Sequence, residues 1–167
     1  MPPVLVLALL AVAADPAPPA PSWTVSVDPL TAALGFAHVQ VERVLAPRWS
    51  VYAGPSLRLY DSLLGEPSGP FRGLGAEVGV RGFFTGAAPE GAWVMARGVL
   101  AHLSRTDGRD DTAVGGYTSA LVGYTWVGPT GLVLSGGGGA SWFAYEVGGV
   151  GIAGPLPALH TAAGWAF

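Results

Sequence analysis

Apolar residues recur at every second position through most of this chain, in segments whose length suits a β-strand. In the segment 71–84, one set of alternate positions holds Leu, Ala and Val, while the other holds Gly, Glu77 and Arg81. A period of two places the two sets on opposite faces of a strand. The mean hydropathy is +0.45, yet no uninterrupted apolar run reaches the roughly 18 residues of a spanning helix. The pattern therefore predicts an all-β protein with one polar and one apolar sheet face.

The scarcity of charge favours a membrane protein over a soluble one. Charged residues make up 11% of the chain, against about 25% in typical soluble domains. A net charge of −3 without a basic cluster argues against a nucleic-acid partner. The chain has no Cys and three widely separated His residues, so we expect no disulfide, no metal and no cofactor.

The chain divides into three parts by composition. Residues 1–14 contain a short apolar run that ends in small residues, which indicates a secretory signal peptide. Residues 15–22 are rich in Pro and Ala and indicate an extended linker. Residues 23–167 show strand-type alternation throughout and are expected to form one domain.

Turn residues divide that domain into eight predicted strands: 23–27, 31–45, 49–60, 71–84, 92–103, 115–127, 131–145 and 156–167. The turns at 46–48, 85–91 and 128–130 are short, whereas the loops at 61–70, 104–114 and 146–155 are longer. Such alternation is typical of a membrane-spanning, up-and-down antiparallel β-barrel with short turns at one end. If 23–45 were one long bent strand, the count would fall to seven.

Charged residues in the middle of the predicted strands share one face with small residues, whereas Arg43, near a turn, lies on the other face. We therefore predict an interior charge network of five residues: Glu42, Arg58, Glu77, Arg81 and Arg97. Pairing of 71–84 with 92–103 across their turn brings Glu77 next to Arg97, and Arg58 lies nearer the outer rim. An eight-stranded barrel has an interior just filled by side chains, so the network is expected to plug the lumen.

The last predicted strand resembles the closing strand of bacterial outer-membrane barrels. His160, Trp165 and Phe167 match that pattern, with Ala162 where the family has Gly. The whole domain is similar to the small eight-stranded barrels of the outer membrane protein A and X type. This resemblance implies a bacterial outer-membrane location, a monomer in contact with outer-membrane lipid, and recognition of the closing strand by the barrel-assembly machinery. We expect a structural or surface-interaction role without catalysis.

Two other functions remain open. His102-Leu103-Ser104 resembles the His/Ser pair of outer-membrane lipid A deacylases, which implies Ser104 as nucleophile and His102 as base. That family has Asn after the Ser and an acid about a dozen residues later, whereas Arg105 stands here and 115–127 contains no acid. The second alternative is a soluble, lipocalin-like ligand-binding barrel, which would require an apolar lumen.

Overall fold

The chain forms a closed barrel of eight antiparallel strands, each hydrogen-bonded to the next in sequence. The computed structural model describes residues 20–33, 35–59 and 71–167. The strands are β1 (Trp23–Val27), β2 (Phe36–Ala46), β3 (Trp49–Arg58), β4 (Phe71–Phe83), β5 (Gly91–Arg105), β6 (Thr112–Val127), β7 (Leu132–Val147) and β8 (Val150–Ala166). The predicted eight-stranded, all-β, up-and-down barrel is confirmed, and β1 and β2 are separate strands.

Three of the sequence predictions fall wholly or mainly outside the described residues. These are the signal segment 1–14, most of the linker 15–22, and the loop 61–70. Within the part of the chain that the structure describes, no helix is long and apolar enough to cross a membrane.

A short helix, α1 (Pro29–Ala33), joins β1 to β2, so the predicted strand 31–45 begins too early. Asp28 Oδ1 accepts hydrogen bonds from the backbone N–H groups of Leu30 at 3.2 Å and Thr31 at 3.1 Å. Asp at the position before a helix and Pro at its first position are favoured helix-start residues. The Asp-Pro pair therefore begins a helix as well as ending a strand.

The loop predicted at 146–155 is a two-residue turn. Gly148 and Gly149 have φ angles of 55° and 74°, as a type I′ hairpin turn requires at both central positions. β7 therefore runs to Val147 and β8 starts at Val150. The glycines that follow the turn are part of β8 and pair with β7, so this Gly-rich stretch forms a strand and not the predicted loop. The acidic loop is likewise shorter than predicted, because β5 extends to Arg105 and β6 starts at Thr112.

The strands are strongly staggered around the barrel. One row of paired residues starts in β1 and climbs through Thr24, Glu42, Tyr52, Gly79, Arg97, Ser119, Ser141 and Leu156. Thr24 itself pairs with Ala166 where β1 meets β8, so one circuit ends ten residues further along β8. A shear of ten with eight strands corresponds to a strand tilt of roughly 40°. That tilt leaves an interior that side chains can fill.

Two apolar clusters fill the two ends of the lumen. The cluster at the short-turn end includes Phe83, Trp93 and Met95. The cluster at the other end, where the hairpin loops lie, includes Phe71, Leu103 and Tyr145. Polar and charged side chains occupy the space between them.

The turn geometry predicts different effects for two glycine substitutions. A Cβ at Gly149 or at Gly98 would meet no atom within 4 Å, but only Gly149 has a positive φ. Because an L-residue is strained in that conformation, we expect Gly149→Ala to lower the free energy of unfolding by about 1 kcal/mol. Gly98→Ala should leave it unchanged or raise it slightly. Urea unfolding followed by Trp fluorescence measures both, and equal losses would contradict the type I′ turn.

Candidate functional site

Among the residues that the structure describes, six buried charged residues of balanced sign face the lumen. Three are acids and three are arginines: Asp28, Glu42, Glu77, Arg58, Arg81 and Arg97. None is more than 6% exposed. All five residues of the predicted network therefore point inward, and Asp28 joins them. Because buried charges are strongly unfavourable unless paired, the arrangement of these six determines what the lumen can do.

Arg81 stands at the centre of the best-defined part of this network. Its Nη1 donates to Glu42 Oε2 at 2.9 Å, and Ser50 Oγ donates to Glu42 Oε1 at 2.5 Å. The guanidinium also lies over two aromatic rings, 5.4 Å from the centroid of Tyr52 and 5.1 Å from that of Trp93. An arginine held in this way combines an ion pair with cation–π contacts.

His160 extends the network from Arg81 to the other side of the lumen. Arg81 Nη2 lies 2.9 Å from His160 Nε2. A guanidinium can only donate, so His160 Nε2 accepts and the imidazole proton lies on Nδ1. That nitrogen lies 3.6 Å from Asp28 Oδ2. Hydrogen bonds thus link His160 through Arg81 to Glu42, whereas His160 Nδ1 and the helix-capping Asp28 face each other without a hydrogen bond.

Glu77 is near a different partner from the one the sequence suggested. The register places it opposite Val99, and Arg97 opposite Gly79, which makes Glu77 and Arg97 diagonal neighbours. The Glu77 carboxylate lies 3.2 Å from His38 Nδ1. Among the described residues, no ion pair within 4.0 Å joins Glu77 to Arg97.

Arg97 and Arg58 make other contacts. Arg97 donates to Ser119 Oγ at 3.4 Å and lies 5.4 Å from the Tyr117 ring centroid. Arg58 donates to the backbone carbonyl of Phe71 and lies 3.9 Å from the centroid of that ring. Arg58 therefore lies beside the apolar cluster at the hairpin-loop end of the lumen. From the sequence, it is expected nearer the outer rim than the other four residues.

Sequence reasoning missed the roles of Asp28, His38 and His160 in this lumen. Alternation already placed His38 on the same face as Glu42, so the signal was present. Asp28 was interpreted as the end of a strand, although its helix-capping position identifies it as a structured residue. His160 was assigned to the assembly signal, and its side chain is buried in the lumen.

Trp165 and Phe167, the other two residues of that predicted signal, are exposed on the outside of the barrel. The backbone of Phe167 pairs with Trp23 through two hydrogen bonds of 3.0 and 2.9 Å. Further aromatic side chains are exposed near the same end: Trp23, Trp49, Phe84, Tyr124 and Trp126. This end of the barrel therefore carries a ring of outward aromatic residues.

His102 and Ser104 lie on the outward face of β5, near its end. His102 pairs in register with Leu74 and Val114, and no described carboxylate forms an ion pair with it. Asp107 is the nearest acid in sequence, and it is bonded to Arg105 through both carboxylate oxygens. That hydrogen bonding lowers the pKa of Asp107 to about 2. Asp107 is thus ionised at neutral pH and is bonded to Arg105 rather than to His102.

Metal chemistry finds no support in the described residues, where no group of three or more His, Cys, Asp or Glu could hold a metal ion. No family model matches the chain, and neither a curated protein nor a solved structure matches it.

The network predicts unequal coupling in two double-mutant cycles. Glu42 and Arg81 are in direct contact, so Glu42→Gln and Arg81→Met should each be strongly destabilising, by roughly 3–5 kcal/mol. The double variant should lose clearly less than the sum, because contacting residues couple. The matched cycle of Glu77→Gln with Arg97→Met should be closer to additive. Urea unfolding of all six variants measures both couplings, and a larger coupling in the second cycle would contradict the contacts described.

Proposed function

We propose that this chain is an integral outer-membrane β-barrel protein with a side-chain-plugged lumen and a structural or surface-interaction role. The observation that carries the proposal is the inverted polarity of the barrel. Its six buried charges face the lumen, whereas large apolar side chains face outward.

The outward apolar surface is extensive. Leu74, Val78 and Leu100 are exposed by 69%, 60% and 65%, and similar residues occur on every strand. Soluble proteins rarely expose continuous apolar surface of this extent. A bilayer removes that cost, because lipid replaces water against the wall.

Among the described residues, the outward side chains that are charged or titratable lie near the two ends of the wall. Arg43 is near the short-turn end, whereas Arg72, His102 and Glu146 are near the opposite end. Between these levels, the outward residues of β5 from Ala92 to Leu100 are Ala, Val, Gly and Leu. At a rise of about 3.3 Å per residue and a tilt of about 40°, this stretch covers roughly 20 Å along the barrel axis. Outer-membrane barrels have an apolar band of about 25 Å.

The ring of outward aromatic residues fits one edge of that band. Tyr and Trp favour the membrane interface, because one part of the ring system is apolar and another can hydrogen-bond. Arg43 lies over the Trp23 ring, 5.0 Å from its centroid, so the charge has a partner at the interface. The short-turn end, where this ring lies, would then face the periplasm.

The proposal also accounts for the lumen. Apolar clusters at both ends and an ion-paired layer between them leave a plugged barrel rather than a wide pore. A lipocalin-like carrier would place an apolar ligand against an apolar interior, whereas this interior holds six charges. We therefore propose a non-enzymatic monomer whose partners are membrane lipid and the barrel-assembly machinery.

Membrane location can be tested by placing a charge on the outer wall. Val78→Arg puts a guanidinium in the middle of the apolar band, which should destabilise an inserted barrel by roughly 2–4 kcal/mol. We expect less protein in the carbonate-resistant membrane fraction. Thr130→Arg, in an exposed turn, is the matched control and should behave as wild type. A Val78→Arg protein that is as stable as wild type, with both released by the carbonate wash, would identify a soluble barrel.

The absence of catalysis is tested separately. Ser104 and His102 face outward where lipid acyl chains would lie, but no carboxylate among the described residues forms an ion pair with His102. We expect mass spectra of lipid A to be identical in cells with and without the protein. Loss of an acyl chain that disappears in both His102→Ala and Ser104→Ala would establish the deacylase alternative.

A further inference from the structure

The barrel wall is incomplete on one side of β8. β1 has 5 residues and β8 has 17, and β1 pairs only with Ala163–Ala166. Among the described residues, the part of β8 from Val150 to Ala162 pairs with β7 alone. On the far side of this break, β2 begins at Phe36. One strand position is therefore missing between β2 and β8, which separates them by about 10 Å.

This break is bordered by apolar wall. Val27 and Val39 below it and Leu159 beside it are outward and at least 39% exposed. In the membrane location proposed above, the break would face hydrocarbon rather than water. Backbone groups at such a depth must be satisfied within the protein.

Two prolines reduce the number of unpaired donors along the break. Phe167 N–H donates across to Trp23, and successive residues of an antiparallel strand point their N–H groups to alternate sides. Pro155 and Pro157 have the same parity as Phe167, so their nitrogen atoms face the break. Because proline has no N–H, it is suited to a strand edge. The sequence thus treats this part of β8 as an edge.

Helix α1 fills the break, and side chains rather than a β-ladder hold it to β8. Thr161 Oγ1 donates to Asp28 Oδ1 at 2.6 Å and accepts from the N–H of Leu30 at 3.1 Å. His160 directs Nδ1 to the other carboxylate oxygen of Asp28. A helix is about 10 Å across, so α1 matches the width of the missing strand. In the described structure, each hydrogen bond that joins α1 or Asp28 to β8 involves a side chain.

We infer that α1 is a plug in a lateral portal between β2 and β8, and that loss of the Asp28 contacts opens the lumen sideways to the bilayer. The inference rests on the proposed membrane location. His38 and Gln40 on β2 and Glu77 on β4 face the lumen, and their atoms His38 Nε2, Gln40 Nε2 and Glu77 Oε1 are buried without hydrogen-bond partners in the described structure. These atoms are available to a molecule that enters with a polar group leading.

The apolar outer wall and the polar lumen, on the two sides of the portal, together define the class of that molecule. A break one strand wide in an apolar wall suits a single acyl chain. Among the described residues the buried charges of the lumen are balanced, with three acids and three arginines, so a charged head group would add a net charge to this interior, which is unfavourable. The portal therefore fits a single-chain amphiphile with an uncharged, hydrogen-bonding head group.

The chain has no Cys, so single cysteines can report access. Ala158→Cys lies inside, on β8 beside the portal. Val99→Cys lies inside on β5, four strands from β1 in either direction, and Val41→Cys lies on the outer wall. Each is reacted in membranes with a long-chain N-alkylmaleimide and with a charged, water-soluble maleimide. Two variants are designed to weaken the plug. Asp28→Asn keeps a helix-capping oxygen, but its amide N–H group would face the Nδ1–H group of His160, so two donors would meet. Thr161→Val removes the hydroxyl group without changing the charge.

We expect both variants to raise the alkylmaleimide rate at Ala158→Cys at least tenfold and to leave the rate at Val99→Cys within twofold. An unchanged rate at Ala158→Cys, or an equal rise at Val99→Cys, would overturn the portal. Val41→Cys separates this failure from failure of the membrane location. If Val41→Cys reacts with the water-soluble reagent and not preferentially with the alkylmaleimide, the membrane location itself is wrong.

The head-group class is tested in the Thr161→Val background. An alkylmaleimide with a quaternary ammonium beside its reactive ring is compared with the neutral reagent of the same chain length, each normalised to its rate at Val41→Cys. We expect the neutral reagent to react at least fivefold faster at Ala158→Cys. Equal normalised rates would overturn the assignment of an uncharged head group.

Discussion

The burial of charge in a narrow lumen is the constraint on which the rest of this structure depends. Eight strands leave room for side chains only, so each interior charge must find its partner among residues that also face inward. Arg81 meets this requirement with Glu42 on one side and the neutral ring of His160 on the other. Because His160 in turn lies 3.6 Å from Asp28, this network borders the residue that caps α1 and binds Thr161 of β8. Packing, electrostatics and closure of the barrel are therefore linked through one arginine.

Much of the fold was readable from the sequence, because a period of two is a local signal. Alternation alone separated the lumenal set, with Glu42 and Arg97, from the outward Val and Leu residues. Partners across the lumen were not readable, since they depend on shear and on side-chain reach. Glu77 illustrates this: adjacent strands suggested Arg97, but the inward-facing His38 from β2 is closer. Two errors had local causes, because Asp28-Pro29 also encodes a helix start and Gly148-Gly149 encodes a tight turn.

The unequal strand lengths give the barrel two different sides. β4 to β8 form a tall wall of 13 to 17 residues per strand, whereas β1 has 5 residues. A ladder of backbone hydrogen bonds is uniform and cooperative, so it resists local opening. Attachment by side chains, as at α1, concentrates the stability of the wall in a few groups that can be changed one at a time. Local stability in this barrel is therefore expected to be lowest beside β8.

The strict alternation of lumenal and outward residues also limits how such a gene can change in length. One residue inserted in β5 before Arg97 would reverse the direction of every later side chain in that strand. Arg97 would then face outward, and the Val and Leu residues of the outer wall would crowd the lumen. Insertions and deletions in this lineage should therefore survive in the hairpin connections, such as the segment after Arg105, or in compensating pairs within a strand. Loop length is the feature of this protein that evolution can vary most freely.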